Sequence, residues 1–209
     1  MKKLLRVSPS PHIRSVATTS GVMRDVIIAL MPALVWSVYV FGFRALVITV
    51  ISVASCVLSE FLFCKATKKE QTVSDLSAVV TGIILAFNLP VTVPLWIPVI
   101  GGAFAIVIVK MLFGGIGKNF MNPALAARVF LFFSFPSFMS GVFVEPKAAK
   151  AISPIAWGVD AISSPTVLSY IEEGVDTNKV VDMFYGNIAG CIGEVSKLLL
   201  LLGFLYLLI

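Results

Sequence analysis

The stretch LSAVVTGIILAFNLPVTVPLWIPVIGGAFAIVIV, Leu76 to Val109, decides the fold. Its apolar character suits lipid, yet Pro90, Pro94 and Pro98 divide it into Leu76 to Leu89 and Leu95 to Val109. Each piece is shorter than the ~17 residues a helix needs to cross a hydrocarbon core. Proline-interrupted helices leave backbone polar groups free, and within a membrane such groups persist only where protein or a water-lined cavity covers them. Two readings stay open on these residues: pieces that line a site, and pieces that simply pack inside a bundle.

Working outward, the chain offers longer spans on either side. Val26 to Phe43, interrupted by Pro32, and Ala45 to Cys64 are two apolar segments joined by little more than Arg44. A fifth segment is expected from Ala124 to about Phe143, after an Asn122-Pro123 start in which Asn caps and Pro takes the first helical position. A sixth runs from about Ile188 to Ile209 and ends on Leu-Tyr-Leu-Leu-Ile without a polar flank, so the apolar pattern is expected to continue beyond it. The expected organisation is a basic arm over residues 1–25, five membrane segments over 26–143, a polar loop over 144–187 and the sixth segment over 188–209. The fold class is all-α, a polytopic integral membrane bundle with short interrupted helices.

Composition agrees. With 58% hydrophobic residues, 13% charged residues and a mean hydropathy of +1.00, too little polar surface exists to wrap a water-soluble core. Met1 to Arg24 carries Lys2, Lys3, Arg6 and Arg14 but no short apolar run with a small-residue cleavage site, so it reads as a basic cytoplasmic arm and not as a secretory signal. The net charge of +5 is scattered between apolar spans without aromatic interleaving, which argues for a lipid-bilayer surface and against nucleic acid.

Orientation follows from the basic residues. With the amino terminus inside, eleven of the sixteen Lys and Arg fall on the inner side: Lys2, Lys3, Arg6, Arg14, Arg24, Lys65, Lys68, Lys69, Lys110, Lys118 and Arg128. Arg44, Lys147, Lys150, Lys179 and Lys197 fall outside, and the polar loop is expected there.

Few residues offer chemistry. Cys56, Cys64 and Cys191 lack metal-ligand spacing and His12 has no neighbour to ligate with, so no metal centre is expected from this chain alone. The glycine-rich loop GGIGKNFMNPA, Gly114 to Ala124, fails as a phosphate cradle because Asn119 follows Lys118 where Ser or Thr is needed. It reads as a turn between membrane segments, with a ligand-contacting loop as the other reading. Glu60, Arg128, Glu194 and Lys197 lie near or within spans, where ionisable groups are functional candidates by default. Snorkelling or pairing is the favoured reading, with Glu194 and Lys197 placed to pair at i, i+3. Asp75 reads as a helix-terminus residue.

The remaining motif is DAISSPTVLS, Asp160 to Ser169, in the polar loop. Ser164 before Pro165 marks a helix start that places Thr166 in the first turn. That turn has unpaired N–H groups at the positive end of the helix dipole, so the sequence that makes a cap also makes a seat for a phosphate on Thr166.

Four blocks in order, DLSAVVTGIILAFNLP, VKMLFGGIGKNFMNPA, DAISSPTVLS and NIAGCIGEVSKLLLLLG, resemble the D subunit of the Rnf complex and the homologous B subunit of the sodium-pumping NADH:quinone reductase. The likeness covers nearly the whole chain. It implies one half of an inverted-repeat architecture and a subunit of a prokaryotic, plasma-membrane, ion-translocating electron-transport complex. It also implies FMN held covalently by a phosphoester to Thr166, with Asp160, Ser163 and Ser164 in the surrounding motif. Ser164 stands where the family usually has Gly, and Pro165 where it usually has Ala. The resemblance further implies other membrane and peripheral subunits as partners, coupling to Na⁺ or H⁺, and a second flavin, riboflavin, between the broken helices and the inner loop. The competing class is a non-redox small-solute channel or transporter, which a bundle with interrupted helices would serve equally well.

Overall fold

The computed structural model describes residues 18–140, 143–145, 149–150, 152–155, 184–186, 188–194 and 196–208. Among them the chain is helical, with α1 (Thr19–Phe41), α2 (Phe43–Thr67), α3 (Ser77–Phe87), α4 (Trp96–Ala103), α5 (Pro123–Ser134), α6 (Pro136–Met139) and α7 (Lys197–Leu208). No strand is present among the described residues, as the all-helical membrane reading requires.

α1 and α2 are long and apolar enough to span a bilayer. Their 23 and 25 residues correspond to about 35 and 37 Å of helix. Thr18 caps α1 by accepting from Gly21 N–H at 3.2 Å, and Pro32 lies inside the helix without ending it. One residue, Gly42 at φ 83°, turns the chain from α1 into α2. That backbone favours glycine, and a Cβ here would also meet Lys150 Cα at 3.4 Å.

α2 is the central element. α3 and α4 pack along it through glycines, the membrane substitute for a hydrophobic driving force being close backbone approach. A Cβ on Gly82 would fall 2.6 Å from Val53 Cα, and one on Gly102 would fall 2.6 Å from Ser55 Oγ. Hydroxyls complete the contact: Ser52 donates to Gly82 O and Ser55 to Val99 O, each at 2.8 Å. α7 lies on α1, where Gly203 sits so near Ala29 O that a Cβ would come within 2.3 Å.

Each shorter helix is terminated by an identifiable device. Asp75 accepts from Ser77 N–H at 2.8 Å and opens α3, the helix-terminus role its position predicts. Asn88 donates to Ile84 O at 2.8 Å and closes it. The prolines then hold Leu89 to Leu95 out of helix, and this stretch is buried in the protein. α4 passes into a π-helical turn, Phe104–Met111, whose wider winding continues in the bonds Leu112 N–H to Val107 O and Gly115 N–H to Lys110 O. The glycine loop that follows holds Gly114, Gly115 and Gly117 at positive φ, a structural turn.

Two segments are more broken than the sequence suggests. The run expected from Ala124 to Phe143 divides at Phe135, where Pro136 starts a new turn. The run expected from Ile188 becomes helical only at Lys197. Its leading part pairs instead with the end of α3: Gly193 N–H donates to Phe87 O at 2.8 Å and Ile192 N–H to Leu89 O at 3.0 Å. Gly193 permits this because a Cβ would fall 2.5 Å from Phe87 Cβ.

Candidate functional site

Polar chemistry concentrates at the two ends of α2. The end at the α1–α2 turn is built on Arg44, 1% exposed. Its Nε donates to Val91 O at 2.8 Å and its NH2 to Val93 O at 2.9 Å, so one guanidinium satisfies two carbonyls that the α3–α4 break leaves without helical partners. Its NH1 donates to Ser153 O at 2.9 Å, which ties the segment after α6 to the same point. Arg128 of α5 does a parallel job: its NH1 donates to Asn88 O, at the carbonyl end of α3, and lies 3.4 Å from Asn88 Oδ1 and 3.3 Å from Cys191 Sγ. A cation there also suits the negative end of the helix dipole.

The flanks of the polar loop converge on this end. Lys150 Nζ lies 4.7 Å from the centre of the Tyr39 ring, Trp36 Nε1 donates to Tyr185 O at 3.0 Å, and the Trp36 and Tyr39 rings are 5.2 Å apart. Residues near the two ends of the loop therefore meet on one aromatic pair of α1. Asp160, Ser163, Ser164 and Thr166, the predicted flavin motif, lie outside the described residues.

The opposite end of α2, flanked by Lys65, Lys68 and Lys69, holds a buried ion pair. Lys110 Nζ, from the π-helical turn, lies 2.8 Å from Glu60 Oε2, with the two side chains 2% and 0% exposed. Lys110 also donates to Ser77 Oγ, and Ser77 donates onward to Asp75 Oδ1 at 2.6 Å. Thr72 donates to the other Glu60 oxygen, and Cys64 Sγ lies 3.9 Å from Thr72 Oγ1. Of the two favoured readings for Glu60, pairing is the one realised. Lys110, counted by sequence among the charges of the inner side, is buried within the bundle.

Other sequence candidates are placed apart. Glu194 accepts from Cys191 N–H at 3.0 Å, which ties it to its own turn, and Lys110–Glu60 is the one salt bridge among the described residues, so the Glu194–Lys197 pairing is not made. Cys56, Cys64 and Cys191 are buried free thiols, and no metal-binding group is present among the described residues. Sequence reasoning missed the joint roles of Arg44 and Lys110. The available signal was one base at the end of each apolar run facing a run that carried unmatched polar groups.

The arrangement is that of a membrane bundle with a buried helix break at one end and the described ends of the polar loop fastened beside it. A family model described as the NQR2, RnfD, RnfE family matches residues 6–209. The chain belongs to this family. Similarity to individual members of the NQR2, RnfD, RnfE family is correspondingly high. The chain is 47% identical over 207 residues to the D subunit of the Na(+)-translocating ferredoxin:NAD(+) oxidoreductase complex of Acetobacterium woodii, covering 97% of this chain and 62% of the relative. It is 35% identical over 218 residues to the D subunit of the proton-translocating ferredoxin:NAD(+) oxidoreductase complex of Clostridium ljungdahlii, covering 99% and 62%. Against the D subunit of the ion-translocating oxidoreductase complex of Rhodobacter capsulatus the identity is 33% over 221 residues, covering 95% and 62%. The chain thus spans 62% of the length of these relatives.

Proposed function

We propose that this chain forms part of a membrane subunit of an ion-translocating ferredoxin:NAD oxidoreductase complex, with FMN esterified through its phosphate to Thr166. The observation that carries the reading is the match to the family over residues 6–209, together with relatives named as the D subunits of such complexes. The motif supports it chemically: Thr166 provides an alcohol oxygen, and Ser163 and Ser164 provide neighbouring hydroxyl donors of the kind a phosphate accepts from. The fold supports it, since the described ends of the loop, at Lys150, Ser153 and Tyr185, are fastened to Trp36, Tyr39 and Arg44 at one end of the bundle.

Bound flavin supplies one- and two-electron chemistry, while the protein supplies location and local electrostatics. Asp160 would orient the motif, while the aromatic pair and Arg44 hold the described ends of its loop near the α3–α4 break. In this reading the basic end of α2 is cytoplasmic, the loop is external, and neighbouring subunits deliver and remove the electrons whose flow drives Na⁺ or H⁺ movement.

The reading is tested on protein made in its native host. After denaturing electrophoresis, ultraviolet illumination should show flavin fluorescence moving with the subunit, and Thr166→Val should abolish it. A dark parental band overturns the covalent-flavin reading and favours a non-redox channel.

A further inference from the structure

Three groups of oxygen atoms converge inside the bundle, and each is met by a cation belonging to the chain itself. Val91 O and Val93 O take Arg44, Asn88 O takes Arg128, and Glu60 with Ser77 takes Lys110. Carbonyls at helix breaks and intramembrane carboxylates are the groups with which membrane proteins bind mobile cations. Here the same groups are satisfied by tethered ones. The Glu60 cluster is the most complete case, because the carboxylate meets the ammonium with one oxygen and a hydroxyl with the other. Lys110 donates to Glu60 Oε2 at 2.8 Å and to Ser77, Ser77 donates to Asp75 Oδ1 at 2.6 Å, and Thr72 donates to the second Glu60 oxygen.

We propose that the Lys110 ammonium is a resident substitute for a small monovalent cation, and that the Glu60–Ser77–Thr72 cluster becomes a sodium site when that ammonium is removed. Three structural features carry the proposal. Glu60 is fully buried, so its charge must be neutralised from within reach. Ser77 Oγ and Glu60 Oε2 already bind one positive atom together. Thr72, exposed at the basic end of α2, connects the cluster to solvent and gives an entering ion a route. In the parent protein the cluster is closed to the transported ion. The proposal is independent of the flavin at Thr166.

Cys64 provides a local reporter, being fully buried and 3.9 Å from Thr72 Oγ1. The full-length protein, in its complex in native membranes, is labelled with a maleimide in sodium chloride or in choline chloride of equal ionic strength, and the Cys64 peptide is followed by mass. Parental labelling should proceed at one rate in both salts. Lys110→Met should label faster in choline, and sodium at ten times its Kd should slow it about tenfold, by the linkage factor for binding to the closed form. Glu60→Gln/Lys110→Met should lose that sodium response. Sodium protection in the parent would show a native ion site and overturn the proposal, as would a Lys110→Met rate indifferent to sodium. Failure of Lys110→Met to assemble in sodium medium counts against it equally, since no mobile cation then replaced the ammonium.

Discussion

The two ends of α2 solve the same problem with different cations. At the turn end the groups to be satisfied are backbone carbonyls from separate stretches of chain, and a guanidinium with its planar fork reaches Val91, Val93 and Ser153 at once. At the basic end the group is a carboxylate, and the compact ammonium of Lys110 meets Glu60 and a single hydroxyl. The difference teaches that the turn end depends on the number and direction of donors, whereas the basic end depends on charge. The two should therefore respond in opposite ways to substitutions that keep charge and to substitutions that remove it.

The largest effect is expected at Arg44. Arg44→Met strands two buried carbonyls, Val91 O and Val93 O, at ~1–3 kcal/mol each and also loses the charged hydrogen bond to the exposed Ser153, so the loss is on the order of 5 kcal/mol. Detergent-solubilised protein should melt far below the parent or fail to accumulate, and Arg44→Lys should recover little of the loss. At the basic end Lys110→Met without added sodium should cost about 3–5 kcal/mol, because it strands a buried carboxylate. Glu60→Gln/Lys110→Met should return most of that, measured by thermal unfolding in a sodium-free non-ionic detergent, because neither partner then carries charge. If Arg44→Lys proved harmless while the neutral pair stayed as unstable as Lys110→Met, the contrast between donor geometry and charge would be broken. The smallest effect is expected for Arg128→Lys, about 1 kcal/mol, since this partly exposed side chain meets one backbone carbonyl and a lysine can still reach it.

The regions that follow from local chemistry were legible in the sequence. The apolar runs before and after Arg44 are α1 and α2, the prolines between Leu89 and Leu95 do hold the chain out of helix, and Asn122-Pro123 does start α5. The break at Pro136 was less legible only in its consequence: this proline follows an apolar run that composition reads as continuous, and its ring ends the helix at Ser134.

What could not be read depends on contacts between distant residues. Ile188 to Glu194 looks like the start of a span because it is largely apolar, and only pairing with Phe87 and Leu89, about a hundred positions earlier, draws it out of helix. Lys110 ends an apolar run as a snorkelling lysine would. Its inward turn depends on Glu60, fifty residues away on α2. The candidate site divides the same way. The hydroxyls of Asp160 to Thr166 were visible as a motif, while the anchoring of the loop's flanks by Arg44, Trp36 and Tyr39 emerged from the fold.

The central claim is that Thr166 carries FMN, and the most direct measurement is the mass of the proteolytic peptide containing Asp160 to Ser169 from host-made protein. The account predicts a peptide heavier by one esterified FMN, with fragmentation placing the addition on Thr166. The unmodified peptide alone, or an addition on Ser163, Ser164 or Ser169 in place of Thr166, would contradict it.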